Sequence, residues 1–115
     1  MIKGVVVCGG RDLVDENYVF NILDYCAQWF APGVVIIHGG ARGADTLAGK
    51  WAHARGHLCV VIPANWHLYG KRAGHIRNGW LLDLNPDLVI ALPGGVGTAN
   101  MVKQTKQRGV LLYAV

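Results

Sequence analysis

Val34-Val35-Ile36-Ile37-His38-Gly39-Gly40-Ala41-Arg42-Gly43-Ala44-Asp45 is the stretch on which the fold turns. Four β-branched residues in a row read as a strand, being too few for a buried helix. The glycines and Asp45 that follow read as a turn opening a helix, in which Leu47, Ala48, Trp51 and Ala52 recur at helical spacing. The same succession recurs along the chain. Gly4 to Cys8 leads into Gly9-Gly10-Arg11, and then Val19, Ile22, Leu23, Cys26 and Phe30 repeat at helical spacing behind Asp15 and Glu16. Leu58 to Ile62 leads through the longest connection, Pro63 to about Asn85, in which Ile76, Trp80 and Leu84 mark a third helix before Pro86. Leu88 to Leu92 precedes Pro93-Gly94-Gly95-Val96-Gly97-Thr98, a fourth helix from Thr98 to Arg108 stopped by Gly109, and a last apolar run from Val110 to Val115.

Apolar runs that are continuous rather than alternating are expected when helices cover both faces of a parallel sheet. Five strands alternating with helices therefore predict an α/β fold, a three-layer α/β/α sandwich around a five-stranded parallel sheet. Of the two usual doubly wound orders, 3-2-1-4-5 is expected over 2-1-3-4-5, because the long connection can carry the chain from the sheet edge back past strand one.

The 115 residues are 52% hydrophobic and 16% charged, enough for a core and too apolar for disorder, so one domain spanning 1–115 is expected. No apolar run approaches the roughly 18 residues of a membrane span, and no signal-peptide core begins the chain, which points to the cytoplasm and no membrane partner. Cys8, Cys26 and Cys59 are odd in number and lie in apolar patterns, as reduced, buried thiols would. The net charge of +4 comes from 11 Lys and Arg against 7 acids and points to an anionic partner. Lys103, Lys106 and Arg108 fall at the end of the last helix, where cations offset its dipole. Arg11, Arg42, Lys71, Arg72 and Arg77 fall in or beside loops and need another explanation.

In doubly wound sheets ligands bind at the carboxyl ends of the strands, where strand order reverses. The loops there hold ten of the 16 glycines, which lets backbone amides approach a ligand, and each glycine-rich loop opens a helix whose N-terminus favours an anion. Candidate ligand contacts are therefore Gly9, Gly10 and Arg11; His38, Gly39, Gly40, Ala41, Arg42, Gly43 and Asp45; and Asn65, Trp66, Tyr69 and Lys71. Arg77 and Asn78 join them, as do Pro93, Gly94, Gly95, Val96, Gly97 and Thr98. The loop cations are expected around one anion, with Arg77 pairing phosphate oxygens and Gly39 to Gly43 flanking a sugar or a second phosphate. Asp45 is either the N-cap of the second helix or an acceptor for a ribose hydroxyl, and both roles are compatible. Trp66 and Tyr69 either stack on a ring or cover the core edge.

Other chemistries fail on spacing. GxxxxGK followed by Ser or Thr is absent, as are GxGxxG and GxSxG, and strand two ends in His38 where a dinucleotide-binding acid would stand. His53, His57 and Cys59 have no second ligand cluster, so neither a metal site nor a cofactor is expected.

Taken together, Gly10-Arg11-Asp12, the His38 to Asp45 loop with Trp51-Ala52, Pro63-Ala64-Asn65-Trp66 with Tyr69-Gly70-Lys71, Ala73-Gly74 with Arg77-Asn78, and Pro93 to Thr98 resemble the SLOG superfamily of Rossmann-like proteins. The resemblance is closest to its YspA-like branch, often found in bacteria and their phages, and covers nearly the whole chain. It implies binding of a nucleotide or nucleotide-derived ligand, often in sensing. The related LOG phosphoribohydrolases use a PGGxGTxxE motif and an arginine on the preceding helix. Pro93 to Thr98 and Arg77 match these, but Met101 stands at the glutamate position. Cleaving an N-glycosidic bond builds positive charge on the ribose, which a carboxylate stabilises and a thioether does not. If there is catalysis, Arg77 and Asp45 are its candidates. The resemblance thus leaves three readings in order: binding without turnover, hydrolysis of nucleoside monophosphates, and single-stranded DNA binding as in the DNA-processing protein A family. Trp80, Leu81 and Leu82 exceed one helix stripe, and the related enzymes are oligomers, so a homodimer through the third helix is expected.

Overall fold

The computed structural model describes residues 1–115. Strands β1 (Ile2–Cys8), β2 (Phe30–His38), β3 (Leu58–Val61), β4 (Leu88–Ala91) and β5 (Leu111–Ala114) form one parallel sheet in the order β3-β2-β1-β4-β5. Helices α1 (Glu16–Cys26) and α2 (Ala44–Ala54) pack on one face. On the other lie α4 (Ala73–Asp83), preceded by the single turn α3 (Trp66–Tyr69), and α5 (Val96–Gln107).

The continuous apolar runs explain this layering. Val5 and Val7 join the core under α1 and α2 with Ile36, Leu88 and Ile90, whereas Val6 and Cys8 join the core under α4 and α5 with Ile37, Val89 and Ala91. Successive side chains of a strand point to opposite faces, so a run without polar interruption buries both. Trp51 of α2 is fully buried in the first core, and its indole N–H still finds Asp24 Oδ1 at 2.8 Å, which removes the penalty of an unpaired donor. Asp15 caps α1 by accepting the Tyr18 amide at 3.1 Å, and Gly109 ends α5 at φ +68°.

Four expectations change at the edges. Phe30 begins β2 instead of ending the first helix, because a 3-10 turn over Ala27–Trp29 closes α1 at Cys26. β3 is an edge strand whose four residues are exposed, so its apolar run does not mark two covered faces, and Cys59 is exposed rather than buried. The long connection contains α3 as well as the expected helix. Leu81 and Leu82 are buried against the sheet, and Trp80 lies edge-on to Tyr69, with ring centroids 5.9 Å apart. The apolar surplus of the third helix is thus largely used within one chain. No helix is long and apolar enough to cross a membrane.

Candidate functional site

Where strand order reverses, between β1 and β4, a cleft of about 750 Å³ opens over the carboxyl ends of the strands. Its floor is Val7, Cys8 and Gly9, and its rim includes Gly10 and Arg11 after β1 and Pro93 to Thr98 after β4. These loops meet backbone to backbone. The Gly10 amide donates to the Pro93 carbonyl at 2.8 Å, and the Ala44 amide donates to the Gly10 carbonyl at 3.0 Å. A Cβ on Gly9 would come within 2.6 Å of Ala44 Cβ, so the absence of side chains lets three loops share one crevice.

The two glycine-rich helix openings look alike in sequence and differ in structure. At α2 the first turn holds an acid, Asp45, that binds the loop ahead of the helix: the amides of Gly39 and Ala41 donate to Asp45 Oδ2 at 3.2 Å each, and that of Gly40 donates to His38 Nδ1 at 3.0 Å. Asp45 is therefore the built-in acceptor of its own loop and commits the amides of Gly39 and Ala41, while the expected N-cap position of α2 is held by Gly43 and not by Asp45, which lies inside the first turn. Gly39, Ala41 and Asp45 line the cleft, while His38, Gly40, Arg42 and Gly43 lie outside it. At α5 the opening is free. Gly95 is an N-cap with no side-chain cap, no acid lies in the first turn, and a Cβ on Gly95 or Gly97 would meet nothing within 4 Å. The first amides of a helix have no intrahelical partner, so this end presents donors and a positive dipole end to the cleft.

Arg77 reaches between the two openings. Its Nη1 donates to the Gly39 carbonyl at 2.8 Å and its Nε to Asn78 Oδ1 at 3.3 Å. The guanidinium lies so close over Gly39 that a Cβ there would overlap it. Asn78, itself buried, donates through Nδ2 to the Gly97 carbonyl at 3.2 Å and to Asn100 Oδ1 at 3.1 Å, tying Arg77 to the first turn of α5. Burial pulls the guanidinium pKa down and the nearby Asp45 carboxylate pushes it back up, and an arginine remains charged at neutral pH. Cys8 has its thiol pushed up to about 12, by burial first and then by Asp45, which keeps it protonated and poorly nucleophilic.

The other loop cations divide. Arg11 and Lys71 line the cleft. Arg42 instead pairs with Asp12 at 3.1 Å on the surface, and Arg72 does not line the cleft, so only three of the five expected cations surround it. Trp66 is at the mouth, with the Arg11 guanidinium carbon 5.2 Å from its ring centroid, whereas Tyr69 turns to Trp80. Asn65 caps α3 by accepting the Leu68 amide at 3.0 Å, a structural role. Sequence reasoning missed Val7, Cys8, Asp12, Leu13, Gly74, His75 and Leu81 as lining residues. A usable signal existed for Asp12 and His75, each beside a residue already singled out. Met101, at the position of the LOG glutamate, is fully buried in the core against α4 and the sheet, and no carboxylate replaces it there.

Burial raises the Asp45 pKa, opposed by the Ala41 amide, Arg77, His38 and the Gly39 amide. A carboxyl whose folded pKa is raised contributes stability that is full below about 3.9 and is lost as pH rises through the folded value. Asp45→Asn retains an oxygen for both amides and has no charge to form. Its unfolding free energy, followed by urea denaturation from pH 4 upward, should lack the decline that the wild-type group adds. Identical pH slopes for the two proteins would refute this account of Asp45.

A doubly wound sheet with a basic cleft at its switch point and a glycine-rich helix opening beside it defines a Rossmann-like class of domain. The chain belongs to the YspA, cpYpsA-related SLOG family, whose sequence pattern matches residues 4–69. That span includes the loops after β1, β2 and β3, while Arg77 and Pro93 to Thr98 lie beyond it. The Gene 61 protein of Mycobacterium phage D29 is 33% identical over 116 residues, covering 95% of this chain and 93% of that protein. Among solved structures, TM1055 superposes with a TM-score of 0.75 at 19% identity, covering 96% of this chain and 72% of its own. DNA processing protein A (DprA) from Streptococcus pneumoniae superposes with a TM-score of 0.76 at 18% identity, covering 98% of this chain and 50% of its own. At these identities the two structures speak for the fold.

Proposed function

We propose that the cleft binds a nucleotide or nucleotide-derived ligand, with a phosphate at the N-terminus of α5 and Arg77 pairing its oxygens, in a sensing or sequestering role. The observation that carries this reading is the contrast between the two helix openings: the first turn of α2 holds an acid, Asp45, which binds the loop ahead of it, and the first turn of α5 has no acid of its own. Membership of the SLOG family supports a nucleotide as the source of the phosphate.

Binding without turnover is favoured over N-glycosidic hydrolysis by the carboxylates. Asp12 stands with Arg42 at the exposed rim, Asp45 Oδ2 is held by two amides, and Met101 is in the core. None of these is a free carboxylate facing a ribose. The nucleic-acid reading gains less support, because Arg42, Arg55 and Arg108 are each paired with an aspartate and Trp66 is the one aromatic of the cleft.

Incubating the pure protein with AMP, ADP-ribose, NAD and cyclic nucleotides, followed by ultrafiltration and mass spectrometry of both fractions, tests the proposal. Retention of one intact compound supports it, and free base formed in proportion to protein would replace it with hydrolysis. Gly95→Val provides a second check. The side chain would enter open space, so the fold should persist, while the amides it covers are withdrawn from the phosphate. Affinity for the retained nucleotide should fall by about 1 to 2 kcal/mol, the cost of lost charge-assisted hydrogen bonds. A folded variant with unchanged affinity would remove the α5 loop from the site.

A further inference from the structure

Three of the six arginines are paired with aspartates, Arg42 with Asp12, Arg55 with Asp24 and Arg108 with Asp83, and Arg77 donates to Gly39 and Asn78. Arg11 differs from all of these. It lines the cleft, donates no side-chain hydrogen bond to the protein, and rests on the Trp66 ring. Lys71 lines the same cleft and likewise has no carboxylate partner. The charge of Arg11 also bears on Arg77 as a like charge, more weakly than Asp45 bears on it as an opposite one. The acids that do line the cleft are committed, Asp12 to Arg42 and Asp45 to its own loop.

One phosphate at α5, met by Arg77, leaves Arg11 and Lys71 without counterions. Cations that line one cleft without a carboxylate partner are stabilised by a second negative group bound between them. A cation resting on an exposed indole gains only a weak attraction, which a phosphate readily outcompetes. Once Arg11 leaves, the Trp66 face that it covered becomes available for stacking on a ring.

We propose that the ligand carries two adjacent phosphates, a nucleoside diphosphate or a diphosphate-bridged nucleotide, and that Arg11 leaves the Trp66 ring to bind the second phosphate. This rests on the reading of the cleft as a nucleotide site and specifies its ligand class. Arg11 is thereby the residue that distinguishes diphosphates from monophosphates, and its movement couples phosphate binding to the opening of the stacking face.

The test is calorimetric titration of the full chain with AMP, ADP and ADP-ribose, repeated with Arg11→Ala. Wild-type protein should bind ADP or ADP-ribose about tenfold or more tightly than AMP, the scale of an added charge-assisted pair. Arg11→Ala should bring that ratio near one by weakening the diphosphates far more than AMP. A preference for ADP-ribose over ADP identifies the bridged nucleotide as the source of the diphosphate, and equal affinity identifies the diphosphate itself. Indole emission should change on adding ADP, and Trp66→Phe should abolish that change. Measurable AMP binding with no preference for diphosphates, or a preference that survives Arg11→Ala, would overturn the proposal and leave the nucleotide site standing. No binding of any of the three compounds would overturn both.

Discussion

Gly43→Ala should lower the unfolding free energy by about 3 kcal/mol or more, because two independent penalties fall on one atom. Gly43 has φ +80° and ψ −125°, a backbone conformation that residues with a Cβ rarely adopt. The added Cβ would also meet backbone, not side chain: it overlaps the Gly10 carbonyl oxygen and comes within 2.6 Å of the Arg11 carbonyl carbon. That backbone has little room to give, since Gly10 is held on one side by the Ala44 amide at 3.0 Å and on the other by Pro93 at 2.8 Å. Relaxation would therefore disturb the loops after β1, β2 and β4 together, and with them the cleft. Thermal denaturation should show a midpoint lower by roughly 10 °C or more for a domain of this size. Gly33→Ala isolates the backbone penalty: φ is +77° there, but a Cβ meets nothing within 4 Å, so a loss of only about 1 to 2 kcal/mol is expected. Equal losses for the two variants would mean that the loops do not interlock as described.

The contrast between Gly33 and Gly43 also marks where the sequence stops being informative. Strand identity was legible because Val5 to Cys8 and Leu88 to Leu92 bury both faces, which leaves a pattern that any covered parallel strand must carry, and the order because the connection after Leu58 to Ile62 is long enough to cross back past β1. The same pattern misleads at β3. Leu58 to Val61 is as apolar as a central strand, yet only its position at the sheet edge determines that these residues are exposed. The candidate site divides in a similar way. Glycines ahead of a helix announced both loop openings, but whether the loop amides are free depends on Asp45 folding back four to six residues, a contact that neither expected role, helix N-cap or ribose acceptor, described. Arg11 and Arg42 are indistinguishable as loop arginines. Arg42 is neutralised by Asp12, 30 residues away in the chain, and no local pattern reports a contact of that kind. Met101 shows the reverse case: its departure from the LOG motif was visible in the sequence, and its burial gives the departure a physical meaning.

Arg77→Ala should weaken binding of a nucleotide monophosphate by about 1.5 to 3 kcal/mol, or roughly 10- to 150-fold in affinity. The size follows from how the side chain is held. Two of its five N–H groups are committed to Gly39 and Asn78, which fixes the plane of the guanidinium without neutralising it, and the remaining donors carry the charge in the cleft. Pre-organisation of this kind means that little rotamer freedom is lost when a phosphate arrives, so most of the charge-assisted hydrogen bond appears as affinity. Arg77→Lys tests that point. It keeps the positive charge but has neither the fork nor the reach to hold Gly39 and the ligand together, so it should restore only part of the loss. The substitution also acts on Asp45, whose pKa the guanidinium holds down against burial. Without Arg77 that pKa should rise further, ionisation of Asp45 should be more unfavourable, and stability should decline more steeply with rising pH than in the wild type. Affinity and pH-dependent stability should therefore change together in Arg77→Ala, whereas Gly95→Val should change affinity alone. An Arg77→Ala protein that binds the nucleotide as the wild type does would show that Arg77 serves the Asp45 loop and not the ligand.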